Sequence, residues 1–291
     1  MGIFEKVRGR TAEKGRNNTV KNPILDLASL SLFRQWHPRA LPLSFSVPLV
    51  AAFSGLLLFS SGYAGAERPF QSEDPYPVGL YRWETSGGIA VATGSWDDIP
   101  NRSLVTLKGG FEYGVTEFGE AGLHWNFYHF QDPGSDGTGD AFLHYKYQFL
   151  TATPSWPDMA VDAEVKLPLA SSSSGLGSGK ADLLLRLLMG WKLERWTNTL
   201  HFGTGLSGAR DGGSLFEFGF ASRYRLEDRL DLLGELTTRS ARIPGRKTIT
   251  EAVGGFAYRM TPQTTLDLSV RTGLSSSSPD VTVAAGFRSV L

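Results

Sequence analysis

The sequence predicts an all-β chain folded as a transmembrane, antiparallel up-and-down β-barrel of twelve strands. Three observations carry that reading. From residue 80 onward, apolar and polar residues alternate with period two, which sends successive side chains to opposite faces of a sheet. One face is apolar, while the other carries charges that a dry soluble core could hold only at a large desolvation cost. The connections also sort by length. Those after odd-numbered strands are mostly longer and rich in Gly, Ser and Asp, and those after even-numbered strands are mostly short, as expected of inner turns and outer loops.

Residues 1–66 have a different character. A polar, basic opening leads into VPLVAAFSGLLLFSSGYAGA, an apolar core followed by the small-residue pattern Ala64-Gly65-Ala66 and then the charged pair Glu67-Arg68. This is the organisation of a secretory signal. Its core is too short and too interrupted for a membrane helix of about 20 residues. Cleavage after Ala66 is the expectation, with the long polar opening leaving a later translation start or an uncleaved anchor as alternatives. Residues 67–79 are polar and Pro-containing and read as an irregular lead-in to a barrel over 80–291. No later stretch has the roughly 18 consecutive apolar residues of a membrane helix, so strands must do the spanning.

The strands follow in order. The first, 80–93, ends at SWDDIPN; the second, 103–114, at VTEFG; the third, 120–130, at QDPGSDGTG. The fourth, 140–150, sets Tyr145, Tyr147 and Phe149 against Lys146 and Gln148, and ends at ATPSWP. The fifth and sixth, 159–169 and 180–192, form the clearest hairpin of the chain. Val161, Ala163, Val165 and Leu167 alternate with Asp162, Glu164 and Lys166; beyond SSSSGLGSG, Leu183, Leu185 and Leu187 alternate with Asp182 and Arg186. The seventh, 198–207, is bounded by RWTN and GARDGG. The eighth, 214–226, sets Phe216, Phe218, Phe220 and Tyr224 against Glu217, Arg223 and Arg225. The ninth and tenth, 230–239 and 249–260, flank RSARIPGRKT. The eleventh, 264–274, sets Leu266, Leu268 and Val270 against Asp267 and Arg271, and SSSSP leads to the last, 281–290. An even count returns both ends of the chain to one side of the membrane. Trp83, Trp125, Trp191, Tyr258 and Phe287, near strand ends, are candidates for interfacial girdles.

Composition narrows the function. With 29 basic and 29 acidic side chains the formal net charge is zero, which argues against a general nucleic-acid footprint. The absence of cysteine removes disulfides, thiolate nucleophiles and Cys-ligated metals. The candidates for lining a lumen or its constriction are Asp162, Glu164, Lys166, Lys180, Asp182, Arg186, Glu217, Arg223, Asp267 and Arg271, with Lys108, Glu112, His124, Lys146, Glu235, Arg239 and Arg288 sharing their inward parity. Lys166, Lys180 and Asp182 flank one Gly-rich loop and are the candidates for an outer constriction; Gly175, Gly177 and Gly179 would let that loop fold inward. The same charges could simply brace a closed barrel. His124, His144 and His201 occupy separate strands and read as hydrogen-bonding or packing residues, so no metal, cofactor or catalytic residue is assigned. His129 with Asp132 and Ser135 is the nearest approach to a lipid hydrolase's nucleophile and base, without a compact constellation.

The motifs Lys166-Leu167-Pro168, Leu176-Gly177-Ser178-Gly179-Lys180 with Asp182, His201 with Gly203, and Ser278-Pro279-Asp280 resemble those of a family of proposed bacterial outer-membrane transporters named after the MetA protein of a phenol-degradation pathway. The resemblance is sharpest over about 161–207 and at the C-terminus. The chain departs from it where Leu169-Ala170 follow the Leu-Pro pair, and it ends in Leu291. The resemblance implies an outer-membrane pore or transporter for small, hydrophobic or aromatic solutes, with outer-membrane lipids and the barrel-assembly machinery as partners. The alternative reading is a structural or surface-interaction barrel with little permeability.

Overall fold

The computed structural model describes residues 70–209, 213–242 and 246–291. The secretory signal expected over residues 1–66 lies outside them. The strands are β1 (Trp83–Trp96), β2 (Ile99–Thr116), β3 (Gly119–Asp132), β4 (Ala141–Leu150), β5 (Asp158–Leu167), β6 (Asp182–Leu193), β7 (Trp196–Ser207), β8 (Ser214–Glu227), β9 (Leu230–Arg239), β10 (Ile249–Arg259), β11 (Thr264–Gly273) and β12 (Val281–Val290). Each pairs with its sequence neighbours, and β12 returns to β1 to close the barrel. The closing ladder is antiparallel and runs from Glu84 opposite Val290 to Thr93 opposite Val281. No edge strand remains among the described residues, as a strand-built membrane protein requires.

The alternation acts as the sequence implies, with the usual order of inside and outside reversed. Tyr145, Tyr147, Phe149, Phe220, Leu268 and Val270 are exposed on the outer wall. Lys146, Lys166, Glu120 and Asp162 face the interior and are at most 1% exposed. An apolar exterior around a charged interior is the pattern of a transmembrane barrel.

One connection differs from expectation. SWDDIPN is not a long outer loop: β1 continues to Trp96, β2 begins at Ile99, and only Asp97 and Asp98 turn the chain. Both have positive φ, 54° and 62°, the conformation that two-residue hairpins favour and that Asp tolerates. The ladder shifts register between Gly94 and Trp96, which absorbs the extra residue as a bulge. Ser95, Pro100 and Asn101 have the composition of a loop, yet they lie within the paired strands.

If the outer wall meets hydrocarbon, Leu268→Arg, near the middle of β11, should destabilise the barrel by about 2–4 kcal/mol. The check is the denaturant midpoint of the chain folded in phospholipid vesicles. An unchanged midpoint would place this face outside the membrane.

Candidate functional site

The lumen is organised around Arg186. Asp162 on β5 stands directly opposite Arg186 on β6, Arg186 opposite Gly203 on β7, and Gly203 opposite Glu217 on β8. A Cβ at Gly203 would lie 3.3 Å from Arg186 Cγ and 3.2 Å from Glu217 Cβ, so the missing side chain leaves the guanidinium a path across β7. Its three nitrogens each reach a different carboxylate. Nη1 donates to Asp162 at 2.6 Å, Nη2 to Glu164 at 2.7 Å and Nε to Glu217 at 2.9 Å. A planar fork of donors suits this use better than a lysine ammonium would.

The network extends in both directions. Lys166, opposite Asp182 in the β5–β6 ladder, pairs with it at 2.8 Å and donates to Ser178 Oγ at 2.6 Å. Arg242, from the β9–β10 connection, bonds Glu164 at 2.7 Å and lies 3.4 Å from Glu217 and 3.7 Å from Asp182. Its guanidinium also sits 5.2 Å from the centre of the Phe142 ring. Beside this cluster is a cavity of about 290 Å³ whose lining includes Lys108, Trp125, Phe142, Glu164, Arg186 and Phe218.

Residues 70–79, expected as an irregular lead-in, cross the lumen without joining the ladder. Phe70 packs with Ala221, Leu233 and Ala257 on one side. The Gln71 and Ser72 N–H groups donate to Glu235 at 3.0 and 2.6 Å. Gln71 Nε2 donates to Glu251 at 2.9 Å, and Arg239 donates to the Gln71 side-chain oxygen. On the far side the Val78 N–H donates to Glu120 at 2.6 Å, while Lys146 bonds Glu120 at 2.7 Å and lies 3.9 Å from Asp74. Tyr76 places its ring under Lys192, 3.6 Å from the ammonium. Burial, then Asp158 and Asp74, pushes its phenol up, so it remains protonated.

The structure therefore brings together Asp162, Glu164, Lys166, Asp182, Arg186 and Glu217. Arg223 lies elsewhere on the inner wall, 3.8 Å from Asp231. Asp267 and Arg271 face inward on β11, outside the Arg186 cluster. Lys180, a candidate for an outer constriction, is exposed in the β5–β6 connection and lies outside the Arg186 cluster; Ser178 from the same loop meets Lys166. Arg242 escaped the sequence reading because a loop residue has no parity. His129 Nδ1 lies 2.9 Å from Thr106 Oγ1, which is its hydrogen-bond partner on the neighbouring strand.

Arg186→Leu would leave buried carboxylates without their shared cation and should cost about 3–5 kcal/mol. Combining it with Asp162→Asn and Glu164→Gln should recover most of that loss. Urea unfolding in vesicles measures both; equal stability of the single and triple variants would show that charge pairing is not what the cluster provides.

No family model and no curated protein matches the chain. Solved structures do. An outer membrane channel from Pseudomonas putida F1 superposes with a TM-score of 0.58 at 13% identity, covering 80% of this chain and all of that one. The NanC porin gives a TM-score of 0.49 at 10% identity over 70% of this chain and 98% of its own. The CymD monoaromatic hydrocarbon channel gives 0.42 at 10% identity over 73% and 89%. At such low identity the first likeness establishes a shared fold: the chain is a closed, twelve-stranded membrane β-barrel.

Proposed function

We propose that the chain is an outer-membrane channel through which small solutes diffuse, and that residues 70–78 close its lumen in the conformation described. One observation carries this reading. The charged interior is crossed by a segment whose Gln71, Ser72 and Val78 N–H groups donate to barrel carboxylates, and the strand ladder closes without it. The segment can therefore leave while every strand keeps its partners. The fold shared with a Pseudomonas putida F1 protein described as an outer membrane channel supports the same reading.

Small hydrophobic or aromatic solutes suit the cavity, because Phe70 and Phe142 offer apolar surface beside Lys108 and Glu164. The Lys-Leu-Pro and Gly-rich motifs support membership of the MetA-named transporter family, with insertion by the barrel-assembly machinery, and the apolar segment ending at Ala64-Gly65-Ala66 supports export through an N-terminal signal. The second reading, a structural barrel with little permeability, draws on the same crossing segment and on the bracing by Arg186.

A reversible lock separates the two. The Ser72 hydroxyl reaches the place where a Cβ on Gly219 would stand, and the chain has no cysteine of its own. A Ser72→Cys/Gly219→Cys pair should conduct in planar bilayers when reduced and fall silent when oxidised. Small aromatic solutes should then block the open steps. Independently, Glu235→Ala removes a charged acceptor of two backbone N–H groups, about 1.5–3 kcal/mol, and should raise open probability roughly ten- to a hundredfold. Inserted protein that stays silent in the reduced pair and in Glu235→Ala would leave the structural barrel standing.

A further inference from the structure

Three side chains that the proposed channel does not use converge on the inner wall: Glu112 on β2, His124 on β3 and His144 on β4. The ladders explain why they meet. Glu112 lies opposite Gly122, and Gly122 lies opposite His144, so the three positions form one row across three strands. His124, two residues beyond Gly122 on the same face, lies opposite Gly110. Glycine thus stands at both positions where a side chain would separate these groups. A Cβ on Gly122 would collide with the His144 ring and come within 2.9 Å of Glu112 Cγ, and one on Gly110 would lie 2.7 Å from His124 Cδ2.

The space left open is occupied by the imidazoles. His124 Nε2 is 2.9 Å from Glu112 Oε1, and the two imidazole centres are 4.8 Å apart. One donor atom from each of the three residues lies within 4.8 Å of the other two. His144 is held from behind, with Nδ1 3.1 Å from Asp162 Oδ1, while the other Asp162 oxygen accepts from Arg186. A carboxylate there fixes the hydrogen on Nδ1 and turns the Nε2 lone pair toward Glu112 and His124. This backing by a carboxylate is the arrangement that orients metal-binding histidines.

We propose that Glu112, His124 and His144 form a binding site for a borderline divalent cation of the Zn²⁺ type, with an open coordination position toward the lumen. Two imidazole nitrogens and one carboxylate oxygen supply three of the four ligands of a tetrahedral Zn²⁺ site. Calcium and magnesium, which prefer oxygen ligands, are poorly served by this set. His124 lines the lumenal cavity, which gives the fourth position access to water or solute. His124 and His144 lie on separate strands, but β3 and β4 are neighbours, and the glycines bring the rings into reach. The site does not depend on whether the barrel conducts.

The test uses the full chain without a polyhistidine tag, stripped with chelator in detergent and titrated with Zn²⁺ against a competing chromophoric chelator. One equivalent should bind. His124→Gln with His144→Gln should weaken binding by more than about 100-fold, and Asp162→Asn by about 10- to 100-fold. His201→Gln, on β7, should leave it unchanged. X-ray absorption of the Zn²⁺-loaded wild-type chain should show two imidazoles and an oxygen donor at about 2.0–2.1 Å, a readout that requires no variant to fold. Failure to bind one equivalent, unchanged affinity in the double variant, or an absorption spectrum without imidazole scattering would overturn the proposal.

Discussion

Hydrocarbon offers no partner to a peptide N–H or C=O, so a strand entering it must find both neighbours within the chain. Here the seam between β1 and β12 meets that demand, since without it two long strands would face lipid with unpaired backbone. Closure then dictates where the side chains go. The period-two alternation has one face turned to lipid and one turned inward, and every charge on the spanning strands has to be accommodated inside. Lysines are consequently among the most buried side chains of the molecule.

Buried charges are tolerated only when they are paired and hydrogen-bonded. Direct cross-strand register supplies some partners, as between Lys166 and Asp182. Longer reaches depend on glycine. Gly203 lets Arg186 extend over β7 to Glu217, and Gly122 lets His144 approach Glu112. On this wall the glycines decide which charged groups meet, because each removes a side chain from a row where its neighbours would otherwise be held apart. The same residues that would weaken an ordinary strand give the interior its connectivity.

The strands were legible because alternation is a local property, readable in any window of eight or so residues. Inward parity was legible for the same reason, so Asp162, Glu164, Lys166, Asp182, Arg186 and Glu217 could be named by counting. Their partnerships were not, because whether Arg186 meets Asp162, Glu164 or Glu217 depends on register across four strands. Arg242 and Lys180 show the limit from both sides: loop residues carry no parity, and the one that folds inward was the one not named. The lead-in was opaque for a further reason. Gln71 finds Glu235 at a separation of 164 residues, and nothing in a short polar, proline-containing stretch announces so distant an acceptor. Asp97 and Asp98 tolerate the positive φ of a two-residue hairpin, but Pro100 and Asn101 beside them carry the composition of a longer loop and mask it.

A thin-walled tube held by a ring of hydrogen bonds is stiff along its strands but soft against flattening, because its cross-section can ovalise with little loss of any one bond. Residues 70–78 fasten β3 and β4 on one wall to β8, β9 and β10 on the other. They act as a spoke, fixing the distance between opposite walls. Without the spoke, the roundness of the tube would be set by the membrane's lateral pressure and by whatever fills the bore.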